Sequence, residues 1–257
     1  MVDERVRLWD GVAVALVTLF ADDGSVDVAG TAAHARRVVG EGVRAVLVAG
    51  STGEADALTD GERVALVAAV REACPDVPVV AGASGAWAGP AAELVAASVA
   101  VGADAVLVAP PRRPGDLGAF FARVGAAADG RPVLAYHFPA VAGGAVPVEV
   151  LGSLPVAGLK DSSGDAERLV RVLTEWDGAV YVGSSVLTLT AGALGAAGAM
   201  LAVANVVPED CLAAWAGDAG AQLRLGGPHV AAKSGFPHGL KRLMAQRFGT
   251  SVAARMG

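Results

Sequence analysis

The residues of this sequence that could do chemistry centre on one lysine. Lys160 ends a short apolar stretch that begins at Val156, and a polar, glycine-containing turn follows at once. A cation is costly to bury unless it is neutralised, and desolvation moves the pKa of a lysine towards neutrality, where its amine is a nucleophile. Gly158, on the same face of the predicted strand, leaves room for the lysine stem. Taken alone, the stretch also fits a lysine that snorkels to solvent.

A tyrosine and two hydroxyl residues would complete a site for carbonyl chemistry. A neutral amine attacks a ketone, and the resulting iminium stabilises a carbanion or enamine at the next carbon. Tyr136, with a neighbouring Ser or Thr, could then move protons to and from the substrate. The backbone N–H groups and hydroxyls of Ser51 and Thr52, in the turn that opens at Gly50, suit a substrate carboxylate. Taken singly, the two hydroxyl residues also fit ordinary turn chemistry, and the tyrosine fits packing.

Eight short apolar stretches, each suited to a strand buried on both faces, supply the elements that must position these residues. They alternate with helical segments at spacings of roughly 25 to 35 residues. We predict strands over residues 11–20, 43–49, 77–81, 105–109, 132–136, 156–160, 179–183 and 199–203. We predict helices over 27–41, 59–73, 89–101, 116–127, 147–153, 165–173, 187–194 and 208–216, with a last helix over 237–248.

This alternation predicts an α/β fold, a (β/α)8 TIM barrel over residues 1–216. Residues 217–257 form a shortened C-terminal helical extension that is not an independent domain. A doubly wound open sheet is the rival, but no G-x-G-x-x-G follows the first strand. In a barrel the active site lies at the C-terminal ends of the strands, which is where the lysine, the tyrosine and the hydroxyl residues fall. This mouth offers no His, Asp and Glu cluster, so we expect neither a metal nor another cofactor.

The overall composition bounds the function. The chain has 257 residues, 54% of them hydrophobic and 18% charged, which suits one large domain with a sizeable core. The net charge of -6 argues against a nucleic-acid partner. No apolar run has the length of a membrane span, and residues 1–10 are too charged for a signal peptide. We therefore expect a cytoplasmic enzyme that contacts no membrane.

Four motifs in a fixed order give the sequence a family resemblance that extends over residues 8–249. They are GSTGE at 50–54, YHFP at 136–139, GLKD at 158–161 and GS at 183–184. In these motifs the chain resembles the dihydrodipicolinate synthase / N-acetylneuraminate lyase family of class I aldolases. The resemblance implies that Lys160 forms a Schiff base with a 2-oxo acid, typically pyruvate, and that Tyr136 transfers protons. It also implies that Ser51 joins the relay, and it places the substrate-binding residues at Gly50, Thr52, Gly183, Ser184 and Met200.

Within that family the chain looks most like 4-hydroxy-2-oxoglutarate aldolase, with the 2-keto-3-deoxy sugar-acid aldolases close behind. The resemblance implies a carbon–carbon lyase that cleaves or forms a bond in a hydroxy-2-oxo acid, and a homo-oligomer, dimer or tetramer. A Schiff-base dehydratase or decarboxylase, and a barrel that binds 2-oxo acids without turnover, remain alternatives. Dihydrodipicolinate synthase itself is disfavoured, because Val141 stands where the family pattern has an arginine for the second substrate's carboxylate.

Two further departures from the family pattern concern the rest of the mouth. Pro111 and Arg112 replace a tyrosine pair, one member of which completes the proton relay across a subunit contact. Arg112 or Arg113 either binds an acidic substrate tail, since a guanidinium grips a carboxylate bidentately, or belongs to a solvated surface pair. His137 replaces the usual asparagine, and on an alternating strand it points away from Lys160 and has a structural role.

Overall fold

The fold is a closed barrel of parallel strands, seen in a computed structural model that describes residues 7–113 and 115–256. Each strand pairs with the next along the chain, and the eighth pairs with the first. This arrangement confirms the predicted (β/α)8 barrel. The strands are β1 Gly11–Ala15, β2 Ala45–Val48, β3 Val79–Gly82, β4 Ala105–Val108, β5 Val133–His137, β6 Gly158–Asp161, β7 Ala179–Val182 and β8 Gly198–Leu201.

Every residue of these strands is buried, because one face of each strand lines the barrel interior and the other packs under the helices. Small and branched side chains make this possible at eight strands, where the interior has just enough room for side chains. Trp9 closes the N-terminal end of the barrel, where its ring stacks on Tyr181 with the ring centroids 4.1 Å apart. The opposite, C-terminal end stays open and holds the site.

Helices follow the strands on the outside of the barrel. The helices are α1 Val28–Gly40, α2 Asp60–Ala73, α3 Ala88–Ala100, α4 Leu117–Ala127, α5 Ala166–Glu175, α6 Thr188–Ala193, α7 Pro208–Trp215, α8 Ala219–Arg224, α9 Gly226–Lys233 and α10 His238–Phe248. Five of them (α1, α2, α4, α5 and α8) are capped by an acidic or hydroxyl side chain that accepts from a free N–H group of the first turn. Thr59 and Glu62, for example, form a complete capping box at the start of α2.

Two predicted elements differ from the observed ones. The first strand ends at Ala15 and not at residue 20, because the Asn205 side chain takes over the next backbone groups: its amide donates to Ala15 O at 2.7 Å, and its oxygen accepts from Val17 N at 3.2 Å. The segment predicted as a helix over 147–153 forms 3-10 turns over Val148–Ser153.

The C-terminal region holds more structure than the sequence pattern predicted. Its glycine-rich stretch forms α8 and α9, and α9 packs against α10 and against the turns that follow β7 and β8. After α10 the chain runs back to the turn that follows β2, where the N–H groups of Arg255 and Met256 both donate to Glu54 Oε2 at 2.8 Å. Among the described residues, no helix combines the length and the apolar character that crossing a membrane requires.

Candidate functional site

Lys160 and Tyr136 lie side by side at the open end of the barrel. They are partners in the register of β5 and β6, and the Lys160 ammonium nitrogen lies 4.7 Å from the centroid of the Tyr136 ring. The Lys160 side chain does not snorkel, since only 4% of the residue is exposed. Burial lowers the pKa of Lys160 from 10.5 to about 7. About half of these amines are therefore neutral at pH 7 and able to attack a carbonyl.

Room for the lysine stem comes from a different glycine than the sequence suggested. A Cβ on Gly158 would meet the carbonyl oxygen of Ala179 and the side chain of Leu134, each at 2.7 Å, so Gly158 serves strand packing. A Cβ on Gly183 would clash with the Ser162 hydroxyl and lie 3.0 Å from Lys160 Cε. The prediction for Gly158 was wrong because the neighbouring strand, not residue spacing within β6, decides which side chain fills the space.

Tyr136 is buried among hydroxyl groups. Burial raises its pKa, and the nearby hydroxyls of Ser51 and Ser162 oppose the rise. The phenol therefore keeps its proton at neutral pH, with two hydroxyl residues close enough to exchange protons with it. Ser162 was not singled out from the sequence, although it follows Lys160 by only two residues.

Ser51 and Thr52 lie in a short 3-10 turn, Ser51–Gly53, that follows β2. The turn is anchored on its inner side by Thr18, whose hydroxyl donates to Gly53 O at 2.8 Å. Beyond it, Glu54 adopts a left-handed conformation with φ 56°, and its carboxylate is fully buried. Such a turn presents backbone N–H groups and hydroxyls together, the arrangement that suits a carboxylate.

These groups surround a cavity of about 330 Å³ at the barrel mouth, at the small end of the range for ligand sites. It contains Lys160 and Tyr136 together with the predicted residues Ser51, Thr52, Gly183, Ser184 and Met200. Of residues 7–113 and 115–256, none of those that line it carries a carboxylate. The same described ranges contain no group of three or more His, Cys, Asp or Glu side chains able to hold a metal.

Residues 8–220 of this chain match the sequence model of the Dihydrodipicolinate synthetase family. The 4-hydroxy-tetrahydrodipicolinate synthase 1 of Streptomyces coelicolor is 38% identical over 204 residues, which cover 76% of this chain and 67% of that protein. A DapA-like lyase of Halobacterium salinarum is also 38% identical, over 209 residues that cover 77% of this chain and 68% of that protein. The chain belongs to the dihydrodipicolinate synthetase family. It is accordingly a carbon–carbon lyase of the aldolase type.

Solved structures agree with this assignment. Dihydrodipicolinate synthase DapA-2 from Bacillus anthracis superposes with a TM-score of 0.82 at 26% identity, covering 98% of this chain and 92% of that one. Dihydrodipicolinate synthase from Aquifex aeolicus superposes with a TM-score of 0.86 at 25% identity, covering 96% and 91%. The shared fold includes the C-terminal helices, which in this chain are α8, α9 and α10.

Two predicted binding residues of this family member, Arg112 and Gly50, lie outside the lysine cavity. Arg112 is exposed, donates to Val141 O at 3.1 Å, and lines an adjoining cavity of about 640 Å³. Gly50 and Pro111 also line that cavity and not the one around Lys160. The two cavities meet at Ser51, Tyr136 and Val141. Arg112, which stands at one of the two positions of the family's tyrosine pair, thus lies one cavity away from Lys160.

His137 sits on the outer side of β5, as its alternation with Tyr136 requires. Its Nδ1 accepts from Val146 N at 3.0 Å, and burial lowers its pKa, so the ring is neutral at pH 7. Next to it, Arg168 Nε lies 2.5 Å from Asp161 Oδ2, and its Nη2 donates to Val146 O at 2.6 Å. These contacts tie the loop after β6 to the loop after β5, and so hold the strand ends that carry Lys160 and Tyr136.

Besides Ser162, two polar residues of the cavity were not predicted from the sequence, His229 and Lys233. Ser185 was expected only as part of the strand end after Ser184. Ser185, His229 and Lys233 line the cavity together with the predicted residues. His229 and Lys233 lie on α9, which the glycine-rich sequence gave no reason to expect. Only the way α9 folds back over the strand ends brings them to the site.

Proposed function

We propose that Lys160 forms a Schiff base with a 2-oxo acid, typically pyruvate, and that the protein cleaves or forms a carbon–carbon bond in a hydroxy-2-oxo acid. The observation that carries this proposal is the buried Lys160, whose pKa of about 7 leaves its amine available at neutral pH. Membership of a lyase family supports the same chemistry. The identity of the substrate, a hydroxy-2-oxo acid, is likewise proposed.

In the cleavage direction the neutral amine of Lys160 attacks the C2 carbonyl, and loss of water leaves an iminium. The C3–C4 bond then breaks as the hydroxyl on C4 loses its proton, and the bonding electrons pass to the iminium to form an enamine. Tyr136, with Ser51 and Ser162 beside it, is placed to carry that proton and to return one to C3. Hydrolysis of the resulting iminium releases the shorter 2-oxo acid and restores the amine.

The substrate carboxylate is assigned to the turn after β2. Its hydroxyls and N–H groups lie across the mouth from Lys160, and Ser51 and Thr52 both line the cavity. Anchoring the carboxylate there holds C2 near the amine, which turns a bimolecular attack into an intramolecular one. Gly183 keeps the path to Lys160 free of a side chain, and Ser184 and Met200 line the remainder.

Borohydride trapping with pyruvate tests this proposal. We expect the intact mass to rise by one reduced pyruvyl group per chain, and peptide mapping to place the group on Lys160 and not on Lys233 or Lys241. Lys160→Ala should form no adduct. An unmodified wild type, or an adduct that survives in Lys160→Ala, would show that the Schiff-base proposal is wrong.

Two alternative functions are compatible with the same environment of Lys160. A Schiff-base dehydratase or decarboxylase would trap pyruvate but release no aldehyde, and a non-catalytic barrel would bind 2-oxo acids without turnover. Proton NMR of a panel of hydroxy-2-oxo acids separates them, because cleavage yields pyruvate and an aldehyde in equal amounts. The synthase named among the relatives is a further candidate. Val141, in place of the arginine that the synthase pattern requires, leads us to expect no such activity above that of Lys160→Ala.

We extend the proposal to the assembly and location of the protein. The family resemblance supports a homo-oligomer, dimer or tetramer, that works in the cytoplasm. The contacts of α9 and of the 249–256 segment with the barrel support a C-terminal extension that does not fold by itself. Light scattering coupled to size exclusion measures the oligomeric state directly, and a monomer at assay concentrations would remove that part of the proposal.

A further inference from the structure

A second set of polar side chains faces the lysine cavity from α9. His229 and Lys233 are four residues apart, one turn of helix, so both reach the same side of α9. Both line the cavity that holds Lys160. The His229 ring nitrogen Nδ1 lies 2.8 Å from the hydroxyl of Ser185, which follows β7. The polar groups of α9 are therefore joined to the strand end beside Gly183 and Ser184.

Neighbouring side chains hold this set in place. Gln222 of α8 donates to Ser185 O at 2.9 Å and accepts from Leu189 N at 2.9 Å, which links α8 to the start of α6. Burial lowers the pKa of His229, and the ammonium of Lys233 lowers it further. His229 is therefore a neutral hydrogen-bonding group at pH 7, and the exposed Lys233 supplies the positive charge.

The rest of this side of the cavity is largely apolar. A substrate whose carboxylate is on the β2 turn and whose C2 is at Lys160 must extend its tail along the ends of β7 and β8 and along α9. The apolar residues there are Met200, Val203, Ala232 and Phe236, and Phe138 and Val141 of the loop after β5 complete the apolar lining. A long polyol tail would bury hydroxyls against these residues without partners, and unpaired buried hydroxyls are strongly disfavoured.

The positive charge of the cavity also favours a substrate with an anionic tail. The cavity gathers the two amines of Lys160 and Lys233, and the described residues that line it include no carboxylate to balance them. Arg112 is not available for this task from within the cavity, because it lines the adjoining one. A short tail that ends in an anion would meet the charge of Lys233. It would also accept one hydrogen bond from the Ser185–His229 pair, because the contact between these two side chains leaves one donor free, either the His229 Nε2–H or the Ser185 hydroxyl.

We propose that Lys233, His229 and Ser185 bind a carboxylate at the far end of the substrate, so that the enzyme prefers a short hydroxy-2-oxo diacid over a neutral polyol 2-oxo acid. This proposal rests on the Schiff-base function above and assigns its substrate class. Cleavage of the C3–C4 bond in such a diacid yields pyruvate and an aldehyde that keeps the second carboxylate, and it needs no oxidant or reductant.

A matched pair of substrates tests it. In 4-hydroxy-2-oxoglutarate C5 is a carboxylate, whereas in 4,5-dihydroxy-2-oxopentanoate it is a hydroxymethyl group, and the two are otherwise alike. Cleavage releases pyruvate from both, with glyoxylate or glycolaldehyde as the partner product, and the methyl proton signal of pyruvate follows both reactions. We expect wild-type kcat/KM to be about tenfold or more higher for the diacid, the size of one charge-assisted contact at a partly exposed site.

Variants of α9 separate charge from packing. Lys233→Met should lower kcat/KM for the diacid by about tenfold and for the neutral analogue by less than about twofold, whereas Lys233→Arg keeps most of the preference. Raising the salt concentration should weaken the wild-type preference, because Lys233 is exposed. Arg131→Gln removes an exposed charge just before β5, at the opposite end of the barrel, and should leave both substrates unaffected.

Borohydride trapping with pyruvate, run on the same samples, keeps the two proposals apart. An enzyme that traps pyruvate but cleaves both substrates equally well would overturn the carboxylate assignment and leave the Schiff base intact. Equal losses for both substrates in Lys233→Met would also overturn it, since they would indicate a packing role. Failure to trap pyruvate at all would remove the Schiff base and the substrate class together.

Discussion

Lys160→Met is expected to raise the free energy of unfolding at pH 7 while it removes the nucleophile. In the folded protein the amine is buried and its pKa is about 7, whereas in the unfolded chain it returns to 10.5. Folding at neutral pH therefore opposes the protonation that the unfolded chain favours. Methionine has a similar length and no ionisable group, so it fills the same space without this cost.

The difference between the two pKa values sets the size of the effect. Each pKa unit corresponds to about 1.36 kcal/mol, so a fall from 10.5 to about 7 costs about 4 kcal/mol of stability at pH 7, where half of the buried amines are already neutral. Relaxation around Lys160 recovers part of this amount, and we expect Lys160→Met to gain about 2 to 4 kcal/mol. The gain should shrink as pH rises from 7 towards 10.5, because the unfolded lysine then loses its proton too. Below pH 7 it should stay constant.

The chain provides two matched controls, since it has only three lysines. Lys241 is also fully buried, but its amine lies 2.5 Å from Glu54 Oε1 and donates to Ala253 O at 2.6 Å. Lys241→Met leaves the buried Glu54 carboxylate without its cation and should cost about 3 to 5 kcal/mol. Lys233 is exposed, and Lys233→Met should change stability by less than about 0.5 kcal/mol.

Urea denaturation of the wild type and the three Lys→Met variants at several pH values measures these differences. We expect the same chemical change to stabilise the protein at position 160, to destabilise it at 241 and to leave its stability nearly unchanged at 233. A Lys160→Met variant that is no more stable than wild type at pH 7, or whose gain is the same at pH 10, would refute the assigned burial cost.

Three further predictions concern the reaction. On a logarithmic plot, kcat/KM should rise with pH with a slope of one and level off above about 7, as Lys160 loses its proton. It should not fall again below pH 10, because burial raises the pKa of Tyr136 above its usual 10. A profile that is flat from pH 5 to 8 would contradict this. Tyr136→Phe should lower turnover by about 10²- to 10⁴-fold, the usual share of a proton-transfer residue, and leave pyruvate trapping nearly unchanged, whereas equal losses in both assays would reduce its role to positioning. Gly183→Ala crowds Lys160 Cε, so it should slow trapping by about tenfold or more and lower the free energy of unfolding by about 1 to 3 kcal/mol. Gly125→Ala adds a methyl group in the middle of α4, where no atom lies within 4 Å, and should neither slow trapping nor destabilise the protein.

The stabilising effect expected for Lys160→Met shows that the buried amine lowers the stability of the folded protein. An amine with a pKa near 7 is reactive because it is poorly solvated, and poor solvation opposes folding for the same reason. Glu54 shows how the fold compensates elsewhere. Its carboxylate joins Lys241 and the N–H groups of Arg255 and Met256, and so ties the end of the chain to the turn that carries Ser51 and Thr52.

The barrel and its central pair of residues could be predicted from the sequence because local patterns encode them. Eight apolar stretches buried on both faces, separated by helical segments, leave few folds to consider, and parallel strands bring their C-terminal ends to one mouth. Lys160 and Tyr136 end adjacent strands of that series, so their proximity follows from the order of the strands alone.

The other residues that surround Lys160 could not be predicted in the same way, because they are brought there by contacts between segments that are distant in sequence. Whether Gly158 or Gly183 makes room for Lys160 is decided by the strand on the other side, across some twenty residues of chain. His229 and Lys233 reach the mouth because packing against α10 and the strand ends makes a helix of a glycine-rich segment, against its intrinsic propensity. The sequence by itself thus determined the barrel and the position of the nucleophile, since burial on both faces of a strand is a local, periodic property. The tertiary structure alone decided what surrounds the nucleophile, because those contacts join residues that are distant along the chain.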